Sequence, residues 1–189
     1  MSNQGNIEIS TDKKNINKIT QFPKESSVYY ENTTGSAYGV YVSGDYAYVA
    51  DWDSGLAVID ISDPTNPGTP VYEDTTGAAY DVYVDGDYAY VADWGSGLAV
   101  IDISDPTNPG TPVYEDTHGK AYDVCVSGDY AYVADYYFYL AVIDISDPTD
   151  PGKSVTIEID RPGSAYGVYV SGDYAYVAFG NKGLLVIDI

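Results

Sequence analysis

The stretch that decides the fold runs from Ala37 to Ala50 and reads Ala-Tyr-Gly-Val-Tyr-Val-Ser-Gly-Asp-Tyr-Ala-Tyr-Val-Ala. Close copies of it begin at Ala79, Ala121 and Ala165, so the sequence repeats every 42 to 44 residues. A second block, Ala-Val-Ile-Asp-Ile, starts at Ala57 and returns in the later copies. A regular period of this length indicates an architecture of repeated units, each packed on its neighbours.

Each repeat is predicted to form four short β-strands, which we name A to D in chain order. In the second copy they span residues 79–84, 88–92, 98–103 and 112–115. Asp85-Gly86 allows a tight hairpin between strands A and B, and the run 105–110 is rich in turn-forming residues. Strand C is apolar on both faces, which requires a neighbouring sheet on each side. Four-stranded sheets at this period are typical of propeller blades, so we predict an all-β fold, a β-propeller with four four-stranded blades per chain.

The order of the strands predicts how the ring closes. The fourth repeat stops after its strand C, whereas residues 27–35 align with a strand D and the loop that follows it. We expect this N-terminal strand to complete the last blade, because an unpaired strand C would expose its backbone N–H and C=O groups. One chain can then form a four-bladed ring, which we favour. Alternatively, two chains can form an eight-bladed ring by exchanging strands.

Residues 1–26 lie outside the repeats, and residues 27–189 form the predicted propeller. The N-terminal extension holds half of the basic residues, namely Lys13, Lys14, Lys18 and Lys24. Its charge is opposite to that of the repeats, which favours a strap lying on the acidic ring over a degenerate strand.

Composition argues against several classes of function. Of 189 residues, 29 are acidic and 8 are basic, which gives a net charge of −21, and 22 are tyrosines. Such an excess of negative charge argues against binding to nucleic acid or to an anionic membrane surface. The single Cys125 and the single His118 exclude an internal disulfide and a His-rich metal site. No apolar run is long enough to span a membrane and no signal peptide is visible, so the compartment stays unknown.

The repeated block Leu-Ala-Val-Ile-Asp-Ile-Ser-Asp-Pro, followed by Ala-Tyr-(Gly/Asp)-Val-x-Val-(Ser/Asp)-Gly-Asp-Tyr-Ala-Tyr-Val-Ala-Asp, resembles the LVIVD-repeat family of β-propellers. The resemblance covers residues 27–189. It implies a scaffold for binding, of a kind often found at the surface of bacterial and archaeal cells. It implies no general enzymatic activity, and we expect no cofactor.

Differences between the copies indicate a candidate binding face. In a propeller the B–C and D–A loops emerge on the same face, and here these loops vary most between repeats. Aromatic rings beside carboxylates suit glycans, which stack on the rings, and cationic peptides. The predicted ligand-binding residues are Trp52, Trp94, Tyr136 and Phe179, the carboxylates Asp51, Asp93 and Asp135, and His118.

Simpler interpretations of the same residues stay open. The aromatic rings can fill gaps between blade ends without binding a ligand. Asp51 and Asp53 are spaced as in a calcium loop, but the later carboxylates of such a loop are missing, so an ordinary turn and no metal are expected. The acids found in every copy are expected to accept backbone hydrogen bonds rather than to form a ring of acids around a pore, namely Asp60, Asp102, Asp144 and Asp188.

The sequence therefore predicts a non-enzymatic propeller, as a monomer or homodimer, that presents an acidic, aromatic-lined face to a glycan or to a cationic peptide or protein. The alternative is a purely structural repeat module, or a fragment of a cell-surface protein, without a ligand of its own. A glycosidase is the third possibility, although loops that repeat so closely leave little room for an asymmetric active site.

Overall fold

The computed structural model describes residues 27–137, 139–157 and 163–189. In these ranges the chain forms fifteen short β-strands and one turn of 3₁₀-helix at Gly180–Lys182, which confirms the all-β prediction. The described part of the chain contains no helix long and apolar enough to cross a membrane. The predicted strap of residues 1–26 lies outside the described residues.

The strands form four antiparallel sheets that follow one another along the chain, as the four-blade prediction requires. Sheet 1 contains β1 (Gly39–Ser43), β2 (Tyr46–Ala50), β3 (Leu56–Asp60) and β4 (Val71–Glu73). Sheet 2 contains β5 (Asp81–Asp85), β6 (Tyr88–Ala92), β7 (Leu98–Asp102) and β8 (Val113–Glu115). Sheet 3 contains β9 (Ala121–Ser127), β10 (Tyr130–Asp135), β11 (Tyr139–Asp144) and β12 (Val155–Ile157). Sheet 4 contains β13 (Gly167–Ser171), β14 (Tyr174–Ala178) and β15 (Leu184–Asp188).

A tight turn joins the first two strands of each sheet, at the predicted Ser-Gly or Asp-Gly pairs. Gly86 in this turn has a φ of 56°, and the glycines of the other three sheets have nearly the same φ. This left-handed conformation strains any residue that carries a Cβ, which explains why glycine occupies the position in all four copies.

The aspartates between the third and fourth strands hold the chain in its turn. Oδ1 of Asp102 accepts a 2.8 Å hydrogen bond from the Ser104 N–H, and Oδ1 of Asp105 accepts bonds from both the N–H and the hydroxyl of Thr107. The equivalent bonds form in sheets 1 and 3. Hydrogen bonds from the Ser104 hydroxyl and then from its N–H hold the pKa of Asp102 below its ordinary value. The prediction that these acids accept backbone hydrogen bonds is confirmed for Asp60, Asp102 and Asp144.

Three apolar cores join consecutive sheets. Val82 and Ile101 of sheet 2 pack with Leu56 of sheet 1, and the other face of sheet 2 packs in the same way on sheet 3. A third core, which contains the buried Cys125, joins sheets 3 and 4. Burial of these apolar faces is the main source of stability for such an arrangement. Among the described residues, no comparable core joins sheet 4 to sheet 1.

The prediction that the N-terminal strand completes the last blade requires a correction. Sheet 4 has three strands, and β15 pairs only with β14 among the described residues. Residues 27–32 form no strand, and Val28 and Tyr30 are largely exposed. The physical reason is that sheet 4 does not pack on sheet 1 among the described residues, so residues 27–32, whose following loop is bonded to sheet 1 through Thr33 and Gly35, do not pair with β15.

Candidate functional site

The B–C and D–A loops of sheets 1 to 3 lie together and form the candidate site, which we call the loop face. It consists of the D–A residues 33–36, 75–78 and 117–120 and of the B–C residues 51–54, 93–96 and 135–137. Backbone pairing holds the two kinds of loop together, because Trp52 and Trp94 form isolated bridges with Ala79 and Ala121. Both tryptophans have positive φ, 48° and 44°. Their backbone is therefore fixed in a conformation that bulky residues rarely adopt.

Two of the predicted ligand carboxylates are internal cross-links. Asp93 is fully buried, and its side chain accepts a 2.7 Å hydrogen bond from the Thr75 hydroxyl and a 2.8 Å bond from the Gly77 N–H. Asp51 is equally buried and accepts the corresponding bonds from Thr33 and Gly35. Burial raises the pKa of Asp93, and the hydrogen bonds from Thr75 and Gly77 offset part of that effect. Their burial removes these carboxylates from the surface that a ligand would reach.

The third repeat departs from this pattern. Asp135 is also buried, but its Oδ1 accepts a 2.9 Å hydrogen bond from the Tyr137 N–H within its own loop. The hydroxyl of Thr117, which matches Thr75, is buried and has no hydrogen-bond partner among the described residues. The aspartate of the B–C loop thus binds the D–A loop in sheets 1 and 2, whereas in sheet 3 it binds a residue of its own loop.

The aromatic residues of the predicted face lie in three different environments. Trp52 is 40% exposed, whereas Trp94 and Tyr136 are partly buried. Phe179 is buried in the core between sheets 3 and 4, with its ring 5.2 Å from that of Tyr139. The structure therefore brings Trp52, Trp94 and Tyr136 to the loop face and places Phe179 in the core, where it fills space between blade ends.

The positively charged side chain of Lys120 lies over the ring of Trp94. The Lys120 ammonium lies 4.2 Å from the centroid of the Trp94 ring and 5.6 Å from that of Tyr137. A cation at this position is attracted by the negative face of the aromatic ring. In the preceding repeat Ala78 stands where Lys120 stands, and the equivalent ring, Trp52, is the more exposed of the two.

His118 lies beside this pair, at the tip of a D–A loop. It is exposed with a φ of 69°, and its N–H donates to the Asp116 carboxylate. Its Nδ1 lies 3.4 Å from the Ser154 hydroxyl. These contacts fix the loop next to Lys120.

A row of tyrosines, which we did not predict as a feature of the site, borders the loop face. Tyr38, Tyr80 and Tyr166 each precede the innermost strand of their sheet, and Tyr122 lies at the start of β9; consecutive rings lie 5.0, 4.8 and 5.6 Å apart. Burial raises the pKa of Tyr80. The sequence carried a signal for this row, since the same position is tyrosine in all four copies.

An acid pair lies on the innermost strands beneath the tyrosines. Asp81 accepts a hydrogen bond from the Val124 N–H of the next sheet, and Asp123 accepts one from the Val168 N–H. Burial, together with the hydrogen bond and charge of Asp81, raises the pKa of Asp123 to about 8. The pair is therefore expected to hold a shared proton near neutral pH, and it links three successive sheets.

The residues suggested for calcium do not converge. Both carboxylate oxygens of Asp51 accept hydrogen bonds from residues 33 and 35, while Asp53 is exposed. Within the described ranges there is no group of three or more residues that could hold a metal ion.

Comparisons with known proteins support the repeat architecture. A family model described as the LVIVD repeat matches four segments, residues 34–70, 76–112, 118–157 and 162–189. No curated protein sequence matches the chain significantly.

The fold is similar to that of several solved structures at low sequence identity. The computationally designed Ika4 protein is 12% identical, with a TM-score of 0.66, over 85% of this chain and 96% of that one. The computationally designed Ika8 protein is 11% identical, with a TM-score of 0.64, over 81% of this chain and 46% of that one. A protein of unknown function from Bacteroides thetaiotaomicron is 12% identical, with a TM-score of 0.61, over 82% of this chain and 41% of that one. The chain thus spans less than half of the last two.

Proposed function

Because the chain belongs to the LVIVD-repeat family of propeller scaffolds, we propose that it is a non-enzymatic binding protein whose loop face takes up a cationic peptide or protein segment at Trp52. The observation that carries this proposal is the pair formed by Lys120 and Trp94. It supplies, within the chain, an example of a lysine bound on the tryptophan of this loop. A partner's lysine or arginine would make the same contact with Trp52.

The surroundings of Trp52 favour a cation over a neutral ligand. Ala78, at the position of Lys120, leaves the ring accessible, and the exposed carboxylates Asp53 and Asp74 lie in the same pair of loops. The net charge of −21 attracts a cationic segment from a distance and speeds its association. The cation–π contact itself contributes about 0.5–1 kcal/mol at an exposed site, so several such contacts are needed for firm binding.

The glycan that the sequence also suggested has less support. Sugar recognition combines stacking on rings with hydrogen bonds to accessible polar groups, and Asp51 and Asp93 are buried in cross-links. The same burial argues against catalysis by these carboxylates, because an acid and a nucleophile must both touch the substrate. We therefore keep the proposal of a protein that is not an enzyme.

Titration of the protein with short synthetic peptides tests this proposal, with tryptophan fluorescence as the readout. A lysine- and arginine-rich peptide is expected to change the emission with saturation, whereas an acidic peptide of equal length and a panel of neutral glycans leave it unchanged. Binding of the basic peptide should weaken as salt is added. Saturable binding of a neutral glycan, without a response to the basic peptide, would contradict the proposal.

A further inference from the structure

The first and last sheets each expose a face whose equivalent in the inner sheets is buried against a neighbouring sheet. Leu98 and Val100 of sheet 2 are buried against sheet 3, at 0% and 2% exposure. The matching residues of sheet 4, Leu184 and Val186, are 67% and 50% exposed. Sheet 4 thus presents an apolar face of the kind that normally receives the next sheet.

Sheet 1 presents the complementary face at the opposite end. Val82 of sheet 2 is 3% exposed because it packs against sheet 1, whereas the matching Val40 of sheet 1 is 66% exposed. Val42, two residues further along β1, is similarly exposed. The two terminal faces therefore match the two halves of an internal interface, residue for residue.

Residues 29–31 occupy the sequence position that an outer strand has in the other repeats. Thr33 and Gly35 bind Asp51 in the way that Thr75 and Gly77 bind Asp93, with closely similar distances. In the second case the residues just before the loop form β4, the outer strand of the preceding sheet. Residues 29–31 consequently hold the place of an outer strand for a sheet that would precede sheet 1.

Sheet 4 lacks an outer strand of this kind. In sheet 1, β3 pairs with β4 so that Leu56 faces Glu73, Ala57 faces Tyr72 and Val58 faces Val71. The residues of β15 that match β3 have no such partner among the described residues. An exposed apolar edge strand of this type favours pairing with another chain.

We propose that a second copy of this chain completes the ring, so that residues 29–31 of each copy form the outer strand on β15 of the other. The repeat fixes the register, with Glu31 opposite Leu184, Tyr30 opposite Leu185 and Tyr29 opposite Val186. Sheet 4 of each copy then packs on sheet 1 of the other, which gives eight sheets around one axis and buries both exposed faces.

The geometry favours a second copy over closure within one chain. No core of described residues joins sheets 1 and 4, and the faces of these two sheets that match an internal interface are both exposed. The same four sheets align with less than half of the longer structures compared above. Head-to-tail contacts close into a ring when two identical junctions are related by a twofold axis. This inference is independent of the proposed cationic ligand.

Measurement of mass in solution gives the first test. Light scattering of the 189-residue protein at physiological salt should give twice the 20.4 kDa of one chain. Because each copy carries a charge of −21, dissociation on dilution should be stronger at low salt. A mass of one chain at all concentrations and salt conditions would overturn the proposal.

A designed cross-link gives the second test and fixes the register. In the variant Glu31→Cys with Leu184→Cys, mild oxidation should join two chains, because directly opposed residues on paired strands lie within disulfide distance. The matched control, Glu31→Cys with Leu185→Cys, points the second thiol to the other face of the sheet and should cross-link at least tenfold less. Cys125 is buried and serves as a common background. A monomeric product with an internal disulfide would show closure within one chain and overturn the proposal, as would equal cross-linking of both variants.

Discussion

Thr75 donates a 2.7 Å hydrogen bond to the fully buried carboxylate of Asp93, across 18 residues of chain. The bond joins the loop that enters sheet 2 to the loop between its second and third strands. Gly77 donates a second bond to the same carboxylate. Because Thr33 and Gly35 repeat the arrangement on Asp51, the carboxylates next to the tryptophans hold the loop face in shape.

Replacement of this carboxylate should therefore destabilise the fold. Asp93→Ala leaves the Thr75 hydroxyl and the Gly77 N–H buried without their partner, which costs about 2–4 kcal/mol. Chemical denaturation monitored by circular dichroism measures the loss. Asp53→Ala, which removes an exposed carboxylate from the equivalent loop of sheet 1, is the control and should change stability by less than about 0.5 kcal/mol. Equal effects of the two substitutions would show that the cross-link does not contribute.

A second prediction concerns the close approach of Gly77 to the same loop. A Cβ at this position would collide with the Asp93 carbonyl oxygen, so Gly77→Ala should destabilise the protein by about 2 kcal/mol or more. Gly95, which lies in the facing loop, has open space around it and no positive φ. Gly95→Ala should therefore be neutral or slightly stabilising. Thermal unfolding of both variants checks the difference, and a Gly77→Ala variant as stable as Gly95→Ala would contradict the packing described.

The acid pair predicts a dependence of stability on pH. The pKa of Asp123 is raised to about 8 in the folded protein, mainly by burial and then by Asp81, whereas in the unfolded chain it is near 4. The folded state therefore binds more protons between these values, and the contribution of this group is complete below pH 4 and is lost as the pH rises to about 8. The slope for one such proton is about 1.4 kcal/mol per pH unit.

Asp123→Asn should remove this contribution to the pH dependence. Its amide oxygen can accept from the Val168 N–H while its amide nitrogen donates to Asp81, so the hydrogen bonds survive without a titrating group. We expect the variant to be more stable than the native protein at pH 9 and to lose less stability between pH 5 and pH 9. Denaturant titrations at these two pH values measure the effect, with the exposed Asp87→Asn as the control. An Asp123→Asn profile parallel to that of the native protein would argue against the shared proton.

The repeat in the sequence was sufficient to predict sheets 1 to 3, the three strands of sheet 4 and the turns, but it wrongly predicted an outer strand on sheet 4. The period, the Asp-Gly and Ser-Gly pairs and the apolar strand C each follow from local rules that hold in every copy, and the strands lie close to their predicted bounds. The carboxylates of the loop face were harder to interpret, because burial depends on which loops meet. A comparison of copies gives only part of that signal, since threonine precedes aspartate by 18 residues at Thr33–Asp51, Thr75–Asp93 and Thr117–Asp135, but the cross-link forms only in the first two.

The contacts that distinguish one part of the loop face from another are made by residues that differ between the copies. Lys120 replaces Ala78 in a single copy, and its position over Trp94 follows from the pairing of two loops that are 26 residues apart. Asp81 and Asp123 replace the glycine that begins the same strand in the first and last copies. Such changes identify candidate residues, but only the packing of neighbouring sheets shows what each of them contacts.

Substitutions at the two equivalent positions Ala78 and Lys120 test the binding of a cation at Trp52 most directly. Ala78→Lys should place a lysine over Trp52 as Lys120 covers Trp94, and it should weaken binding of a lysine-rich peptide by about two- to fivefold. Lys120→Ala should uncover Trp94 and strengthen binding or add a second site. Isothermal titration calorimetry of the native protein and both variants with the same peptide measures these changes. Opposite effects of the two substitutions support the proposal, and unchanged affinity in both would contradict it.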